Sequence, residues 1–571
     1  MTRVDVCIVG SGFGGSISAF RLAELYRAAN QDASILVLER GQRHLHTDFR
    51  QSMDIDHLAR VYGLVQGLGA QIVLGDGVGG SSNLYLAASL RSPSETFERR
   101  DHRPDDGPDR RMWPSAITRQ ALNPYYQRAE QALRVQRPTW SQVAKSGGVW
   151  AASLAAAGHT CDRVPQAIDL SRCIQAKWCH TGCIFGAKNS VITNYLSAAE
   201  SLGVEVRPNS QAELVRQSAA RPYRYVVTAS EMDNEGAGAT RQPSGTTFDV
   251  ECKVLILAAG AMGNPPLLMR SRPFLPSLSA RVGKHLGVNG DHIAAIEYDE
   301  RKIRDVLGLP GYGQIYKGNH ITTMSYDWWA GRSGHANDGT RFTLQEIYLS
   351  QLAHALYDDA RAPSGEPSWW GLQKKEALST FNNHVEILAM VEDTHDGEFL
   401  APPPTGSHIR PNAGPVGIGP FNYTLSEQSQ QVREAANAAI RGVVERNGLG
   451  RLMAPTYRNV SAAHPLGGCR MADSKTFGVV DHRCEVFDYP GLFCMDSSAI
   501  PTSLGVNPSL TISAVAERSV EQLIARGADY SLPARPAGFR PGVPAVNIGP
   551  HVTARRRSSD AEIDAKVRSY A

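Results

Sequence analysis

The stretch Val4-Asp5-Val6-Cys7-Ile8-Val9-Gly10-Ser11-Gly12-Phe13-Gly14-Gly15, continued by Ser16–Tyr26, decides the fold. The apolar residues up to Val9 read as a buried strand and those after Gly15 as a helix. Between them lies a G-x-G-x-x-G turn in which each glycine has its own mechanical task. Gly10 permits the tight turn, Gly12 lets a pyrophosphate approach the backbone, and Gly15 lets helix and strand pack closely. The helix N-terminus then offers unpaired N–H groups and a partial positive charge to phosphate. A second strand, Ser34–Leu38, ends in Glu39, near the ~20-residue offset at which an acid grips a ribose hydroxyl. Strand, turn, helix, strand and terminal acid in this order predict a dinucleotide-binding βαβ unit.

A chain of 571 residues exceeds one simple core, so two domains are expected. Its net charge of +3 leaves no electrostatic footprint for nucleic acid. Residues 531–571 alone carry seven Lys/Arg against three acids, so the rest is close to neutral. No charged leader precedes the first strand and no apolar run reaches ~18 residues, so neither a signal peptide nor a membrane span is expected. Nine cysteines, an odd count in a large chain, suit a reducing compartment, and a cytoplasmic location is expected. The pattern says nothing of an oligomer.

The dinucleotide fold is assembled from separated pieces. Residues 1–94 hold the βαβ unit and a second glycine turn, Gly75-Asp76-Gly77-Val78-Gly79-Gly80-Ser81-Ser82. Residues 203–290 hold strands at Val204–Arg207, Tyr223–Thr228 and Val254–Ala259, then a break, Gly260–Pro266, that opens a helix at Leu267. Residues 455–530 complete it. The intervening 95–202 and 291–454 form a substrate-facing domain with covering segments. There Val385–Val391 and similar runs suggest an antiparallel sheet. Residues 531–571 read as an arm or a poorly ordered tail. The expected fold class is α/β: a Rossmann-like three-layer domain joined to an α+β domain on a mostly antiparallel sheet.

Several segments together resemble the glucose–methanol–choline (GMC) oxidoreductases, and most closely their cholesterol-oxidase-like branch. They are the N-terminal fingerprint, Gly77-Val78-Gly79-Gly80-Ser81-Ser82, Leu122-Asn123-Pro124-Tyr125-Tyr126 and Leu257-Ala258-Ala259-Gly260-Ala261. Two C-terminal signatures follow, His464-Pro465-Leu466-Gly467-Gly468-Cys469-Arg470-Met471 and Gly505-Val506-Asn507-Pro508-Ser509-Leu510-Thr511-Ile512. The resemblance implies FAD rather than NAD, and oxidation of a CH–OH group of a small-molecule alcohol to a carbonyl by hydride transfer to flavin N5. It implies oxygen as acceptor, with a dehydrogenase using another acceptor, or a redox-neutral lyase on the same frame, as alternatives.

Carried onto this sequence, the resemblance makes His464 the base and Asn507 the residue that orients the hydroxyl. A histidine suits proton removal because its ordinary pKa lies near ~6.5. FAD contacts fall to Gly10, Gly12, Phe13, Gly14 and Gly15, then to Glu39 and Arg40. Further contacts fall to Gly77, Gly79, Gly80, Ser81, Ser82 and Tyr85, to Ala259 and Gly260, to Asp496, and to Asn507, Pro508 and Ser509. Asn507 also reads as a turn amide capping the helix behind it, and Asp496 as a turn-forming residue. Tyr85 stands where the family carries asparagine. Leu84 stands where members with covalent FAD carry the linking histidine, so non-covalent FAD is expected.

A sterol oxidase's glutamate would fall near Phe381, where no acid stands; His384 and Glu386 are the nearest polar residues and share a face by alternation. They read as outward residues of a half-exposed strand. Cys173, Cys179 and Cys183 with His180 lack the paired spacing of a zinc site and read as structural thiols, a disulfide being the other reading; no metal is expected. Cys469 reads as packed. Trp328-Trp329 and Trp369-Trp370 read as packing aromatics, with stacking on a substrate ring as the alternative.

Overall fold

Val6, Cys7, Ile8 and Val9 are buried, so the opening strand Thr2–Val9 is central, as its unbroken apolar run predicts. The computed structural model describes all residues except 53, 102–109, 234–241, 308–318, 331–339, 349–382, 401–420, 454–459 and 547–571. Thr2–Val9 lies parallel to Ile35–Leu38 on one side and to Pro243–Leu257 on the other. Glu205–Arg207 extends the parallel set beyond Ile35–Leu38, and Leu492–Cys494 pairs in parallel with the end of Pro243–Leu257. Tyr225–Met232 and Ser210–Gln217 complete a seven-stranded sheet in antiparallel fashion.

Pro243–Leu257 is 15 residues long, well beyond the apolar run that announces it, because its first half is polar and partly exposed. Ser210–Gln217 has no sequence counterpart among the expected strands; its mixed composition hides it. The helix expected at Leu267 starts earlier, at Asn264, because Pro265 and Pro266 lie in its first turn, where their missing N–H groups cost nothing.

The first helix, Phe13–Ala28, packs against Tyr195–Ser201 and against the C-terminal helix Ser509–Ala525, which also packs on Arg119–Ala132. A buried ion pair fastens this layer: the Arg21 guanidinium donates to both oxygens of Glu517 at 2.8 and 2.7 Å. The Tyr195 hydroxyl adds a third bond to Glu517 at 2.8 Å. Burying such a pair is tolerable because its donors and acceptors are matched. The stretch after Leu532 docks here too. Gly542 accepts from Arg21 at 2.6 Å and donates to Glu24 at 2.8 Å, so the first part of the expected tail is held in place.

The second sheet is antiparallel throughout. Its order is Gly450–Leu452, Asp291–Tyr298, His384–Val391, Phe342–Ile347, Thr323–Ser325 and Asp162–Arg163. Every residue of His384–Val391 is buried, which corrects the half-exposed expectation. Val385, Ile387, Ala389 and Val391 join a cluster with Val432, Ala436 and Ile440 of the helix Glu427–Val444. Leu388 and Met390 face the other way and join the core of the dinucleotide domain. With both faces covered, polar alternation is not required.

A third, small sheet pairs Tyr62–Gln66 with Ala70–Gly75 and Ala70–Gly75 with Val460–Ala462. Ala70–Gly75 runs into the second glycine turn and Val460–Ala462 runs into His464. This sheet therefore sets the two loops beside each other.

Candidate active site

The first glycine turn leaves room at one place only. A Cβ built on Gly10 would lie 2.3 Å from the Ala258 carbonyl oxygen, and one on Gly15 would lie 1.9 Å from that of Gly10. A Cβ on Gly12 would meet no atom within 4 Å. Gly12 is also the N-cap of Phe13–Ala28, a 16-residue helix with no side-chain cap and no acid in its first turn. Open space in front of uncapped N–H groups fits a pyrophosphate. Gly10, at φ +96°, makes the turn itself.

Glu39 closes the same end of the sheet. Its Oε2 accepts from the Ser11 N–H at 2.9 Å and the Ser11 hydroxyl at 2.7 Å, and its Oε1 from the Gly41 N–H at 2.9 Å. Burial raises its carboxyl above the ordinary range, opposed by these bonds. Ser11 Oγ also accepts the Gly79 N–H at 2.8 Å, so Glu39, Ser11 and Gly79 form a chain that joins the two glycine turns. A Cβ built on Gly80 would lie 3.2 Å from Gly12 Cα. Gly77, Gly79 and Gly80 all have positive φ, which lets this second turn fold back on the first.

The other residues of this turn brace it. Ser82 donates to Gly79 O at 2.7 Å, and Ser81 Oγ accepts the Gly75 N–H at 2.9 Å. Arg40 pairs with Asp76 at 3.0 Å. Phe13 meets Tyr85 edge to face at 5.4 Å, and the Tyr85 hydroxyl donates to Asn189 O at 2.7 Å. Lys188, absent from the sequence-based site, anchors the segment by donating to Asn83 O, Tyr85 O and Cys179 O at 2.6, 3.0 and 2.6 Å. Burial pulls its amine down to about 8. Its sequence signal is only a lysine at the end of a cysteine-rich run.

Asp496 is a brace whose two oxygens are both occupied by the protein. Its Oδ1 accepts from the Ser498 N–H and hydroxyl at 2.8 and 2.6 Å, which is the turn-forming reading. Its Oδ2 accepts the Gly260 N–H at 2.6 Å and Asn264 Nδ2 at 2.8 Å. These bonds leave little acceptor capacity for a cofactor hydroxyl. Asn264, fully buried, also accepts the Ala259 N–H at 3.0 Å. Asp496 and Asn264 thus hold the Ala259–Gly260 turn against the end of Leu492–Cys494. Sequence reasoning missed Asn264, whose only signal is an amide before two prolines.

His464 is partly exposed, and its Nδ1 lies 2.7 Å from Asp291 Oδ1. A carboxylate can only accept, so Nδ1 carries the hydrogen and the neutral ring keeps its Nε2 lone pair free. Asp291 Oδ2 accepts the Ala463 N–H at 3.2 Å, which fixes the loop as well as the ring. Asp291 heads the strand Asp291–Tyr298, and nothing in the sequence pattern singles it out. Two residues earlier, the buried Asn289 accepts the Leu504 N–H at 2.7 Å and donates to Val506 O at 2.9 Å. One short segment therefore holds both C-terminal signatures.

Asn507 is buried and its Oδ1 has no hydrogen-bond partner among the described residues. The helix behind it spans Ser509–Ala525 with Pro508 as N-cap and no side-chain cap, so the expected capping by Asn507 is not observed. Ser509 donates to Ala88 O at 3.3 Å. Asn507 Oδ1 and the first-turn N–H groups of this helix are thus left without a side-chain partner among the described residues.

All nine cysteines are free thiols, and no His/Cys/Asp/Glu group among the described residues could hold a metal. Cys173, Cys179 and Cys183 pack against the main core, and Cys469 is buried. Trp328 stacks on Phe342 at 5.7 Å within the second core, whereas Trp329 lies against Gly505. Trp369, Trp370 and Phe381 lie outside the described residues. No helix among the described residues is long and apolar enough to cross a membrane.

Residues 59–286 and 422–516, more than half of the chain together, match the two family models described as GMC oxidoreductase. A cholesterol oxidase of Mycobacterium tuberculosis is 29% identical, with 90% of each chain covered. A long-chain-alcohol oxidase of Arabidopsis thaliana is 23% identical over 90% of this chain and 66% of its own length. Among solved structures, pyridoxine 4-oxidase from Mesorbium loti matches with a TM-score of 0.60 at 16% identity, covering 91% of this chain and 99% of that one. Open space in front of an uncapped helix N-terminus and a histidine held by a carboxylate accord with these matches. The chain belongs to the GMC oxidoreductases, FAD-dependent enzymes that act on CH–OH donors.

Proposed function

We propose that the protein is an FAD-dependent alcohol oxidase in which His464 takes the hydroxyl proton and Asn507 orients the hydroxyl. The observation that carries this reading is the 2.7 Å bond from His464 Nδ1 to Asp291, which leaves Nε2 as the free acceptor. Bound FAD supplies the two-electron acceptor for the hydrogen on the alcohol carbon. Gly12, the N-terminus of Phe13–Ala28 and Glu39 would hold its pyrophosphate and ribose, with the second glycine turn beside them.

The proton leaves the substrate oxygen for His464 Nε2, and the imidazolium so formed is stabilised by Asp291. Asn507, buried, would orient the hydroxyl by donating an amide N–H to its oxygen, which leaves the single hydroxyl hydrogen for His464 Nε2. The N-terminus of Ser509–Ala525 provides partial positive charge where negative charge gathers. Oxygen as electron acceptor is supported by the relatives' names, cholesterol oxidase and long-chain-alcohol oxidase. Leu84 packs with Phe49 and Val61 and has no nucleophile for a flavin, in favour of dissociable FAD. Nine free thiols favour a reducing, cytoplasmic setting.

The test is anaerobic mixing of the FAD-loaded enzyme with a panel of sterols, aliphatic alcohols, sugars and polyols while the yellow flavin band is watched. Bleaching by an alcohol, then peroxide on admission of oxygen, is the expected result. Product formed with the band unbleached would instead mean lyase chemistry, and bleaching without peroxide a dehydrogenase.

A further inference from the structure

Gln345 is fully buried, and neither its Nε2 nor its Oε1 has a hydrogen-bond partner among the described residues. It sits in Phe342–Ile347, opposite Leu388 on one side and Met324 on the other. The direction it faces follows from its neighbours. Phe342 and Leu344 join the cluster beneath the helix Glu427–Val444, whereas Ile347, Leu388 and Met324 join the core of the dinucleotide domain. Gln345 shares the second face by alternation. So does Thr343, whose hydroxyl donates to Gly505 O at 2.7 Å, two residues before Asn507. Asp291, which holds His464, lies on that face too, paired with Met390, itself paired with Thr343. The sheet face that carries the unpartnered amide is therefore the one that supports both candidate catalytic residues. A buried amide with two unmet donors and one unmet acceptor is costly unless something else meets them.

We propose that Gln345 is a specificity-determining residue of this site, its amide binding a second oxygen function, hydroxyl or carbonyl, of an alcohol substrate whose reacting hydroxyl is held by His464 and Asn507. This deepens the proposed function and rests on it. An amide both donates and accepts, so it recognises a hydroxyl through either role and a carbonyl through its N–H groups. A site built on such a group discriminates against analogues that lack the matching oxygen, because the amide is then left unpaired in apolar surroundings. The substrate class is thus an oxygenated alcohol such as a diol, polyol or hydroxyketone, in preference to a plain monohydroxy hydrocarbon.

The experiment compares FAD-loaded wild type with Gln345→Leu and Gln345→Met on matched probes: 1-octanol against 1,3-, 1,5- and 1,8-octanediol, and cyclohexanol against 1,4-cyclohexanediol. The expected result is a wild-type preference for at least one diol over its mono-ol. In Gln345→Leu the KM for that diol rises about tenfold, the loss of one hydrogen bond, while kcat, the mono-ol KM and the flavin spectrum hold. Its thermal midpoint does not fall, since no protein bond is lost. Gln345→Met, of similar length and without the amide, supplies a second variant and loses the diol preference in the same way. Equal changes for diol and mono-ol, no change in either, or a shifted flavin spectrum with unchanged selectivity would overturn the proposal. Failure of every alcohol to bleach the wild-type flavin would instead overturn the proposed function.

Discussion

His464 donates its Nδ1–H to Asp291 Oδ1 at 2.7 Å across 173 positions of sequence. The bond selects one tautomer of the ring and supplies the counter-charge for its protonated form. Asp291→Asn keeps an acceptor oxygen but loses the charge and can turn an N–H toward Nδ1, favouring the wrong tautomer. The expected loss in the rate of anaerobic flavin bleaching is about 10²–10⁴-fold, with FAD still bound. His464→Ala should lose as much. Full-speed bleaching in either variant would remove the assigned role.

Asn507→Leu tests the buried amide. Removing a preorganised polar contact at the reacting centre should lower kcat by about 10²-fold. Because Oδ1 meets no partner among the described residues, the thermal midpoint should not drop for want of that oxygen. A large loss of stability at unchanged kcat would show a structural residue instead.

The glycines of the first turn should separate binding from folding. Gly12→Ala places a methyl in open space, so the chain should fold while its FAD dissociation constant rises steeply. Gly15→Ala drives a methyl to 1.9 Å from a backbone oxygen, so soluble folded protein itself should be lost. Circular dichroism alongside FAD titration distinguishes the two. Tight FAD binding by Gly12→Ala would remove the cradle from that position.

Asp496→Asn tests the brace. Its carboxylate accepts from four donors, and an amide turns an N–H toward one of the two donor pairs. A cost of about 1–3 kcal/mol in denaturant unfolding is expected. The same change made to a mere cofactor contact would leave the apo protein's stability untouched, and that result would restore the cofactor role to Asp496.

Acid stability should show the buried histidines. Burial, then the nearby Arg433, push His292 down to about 4, with the Asn437 hydrogen bond opposing. Burial likewise pushes His320 down to about 4. The unfolded imidazole titrates near ~6.5, so between these values the unfolded chain binds a proton that the native chain refuses. Stability therefore rises with pH across that window and falls on acidification, by up to about 3 kcal/mol for each group. Denaturant midpoints at about pH 7 and about pH 5 should differ less in His292→Gln than in wild type. An identical difference in both would exclude His292 as a source of the slope.

The sequence by itself determined what is local. The run from Val4 to Gly15 fixed strand, turn and helix because apolar periodicity and glycine conformation act over a few residues. The same reasoning located Glu39 and the second glycine turn and put His384 and Glu386 on one face, whereas His464 and Asn507 were singled out by the resemblance to the family. It misplaced exposure in His384–Val391, since a strand covered on both sides carries no alternation to read.

Only the tertiary structure decided the partners. Asp291, Asn289, Asn264 and Lys188 are single polar residues in unremarkable settings, and they have partners far along the chain; Asn289 meets Leu504 across 215 positions. Such pairings depend on how the two sheets are set against each other. The hydrogen bonds that orient a histidine, satisfy an acid or leave an amide waiting become visible once the chain has folded, because they depend on distance in space and not on spacing in sequence.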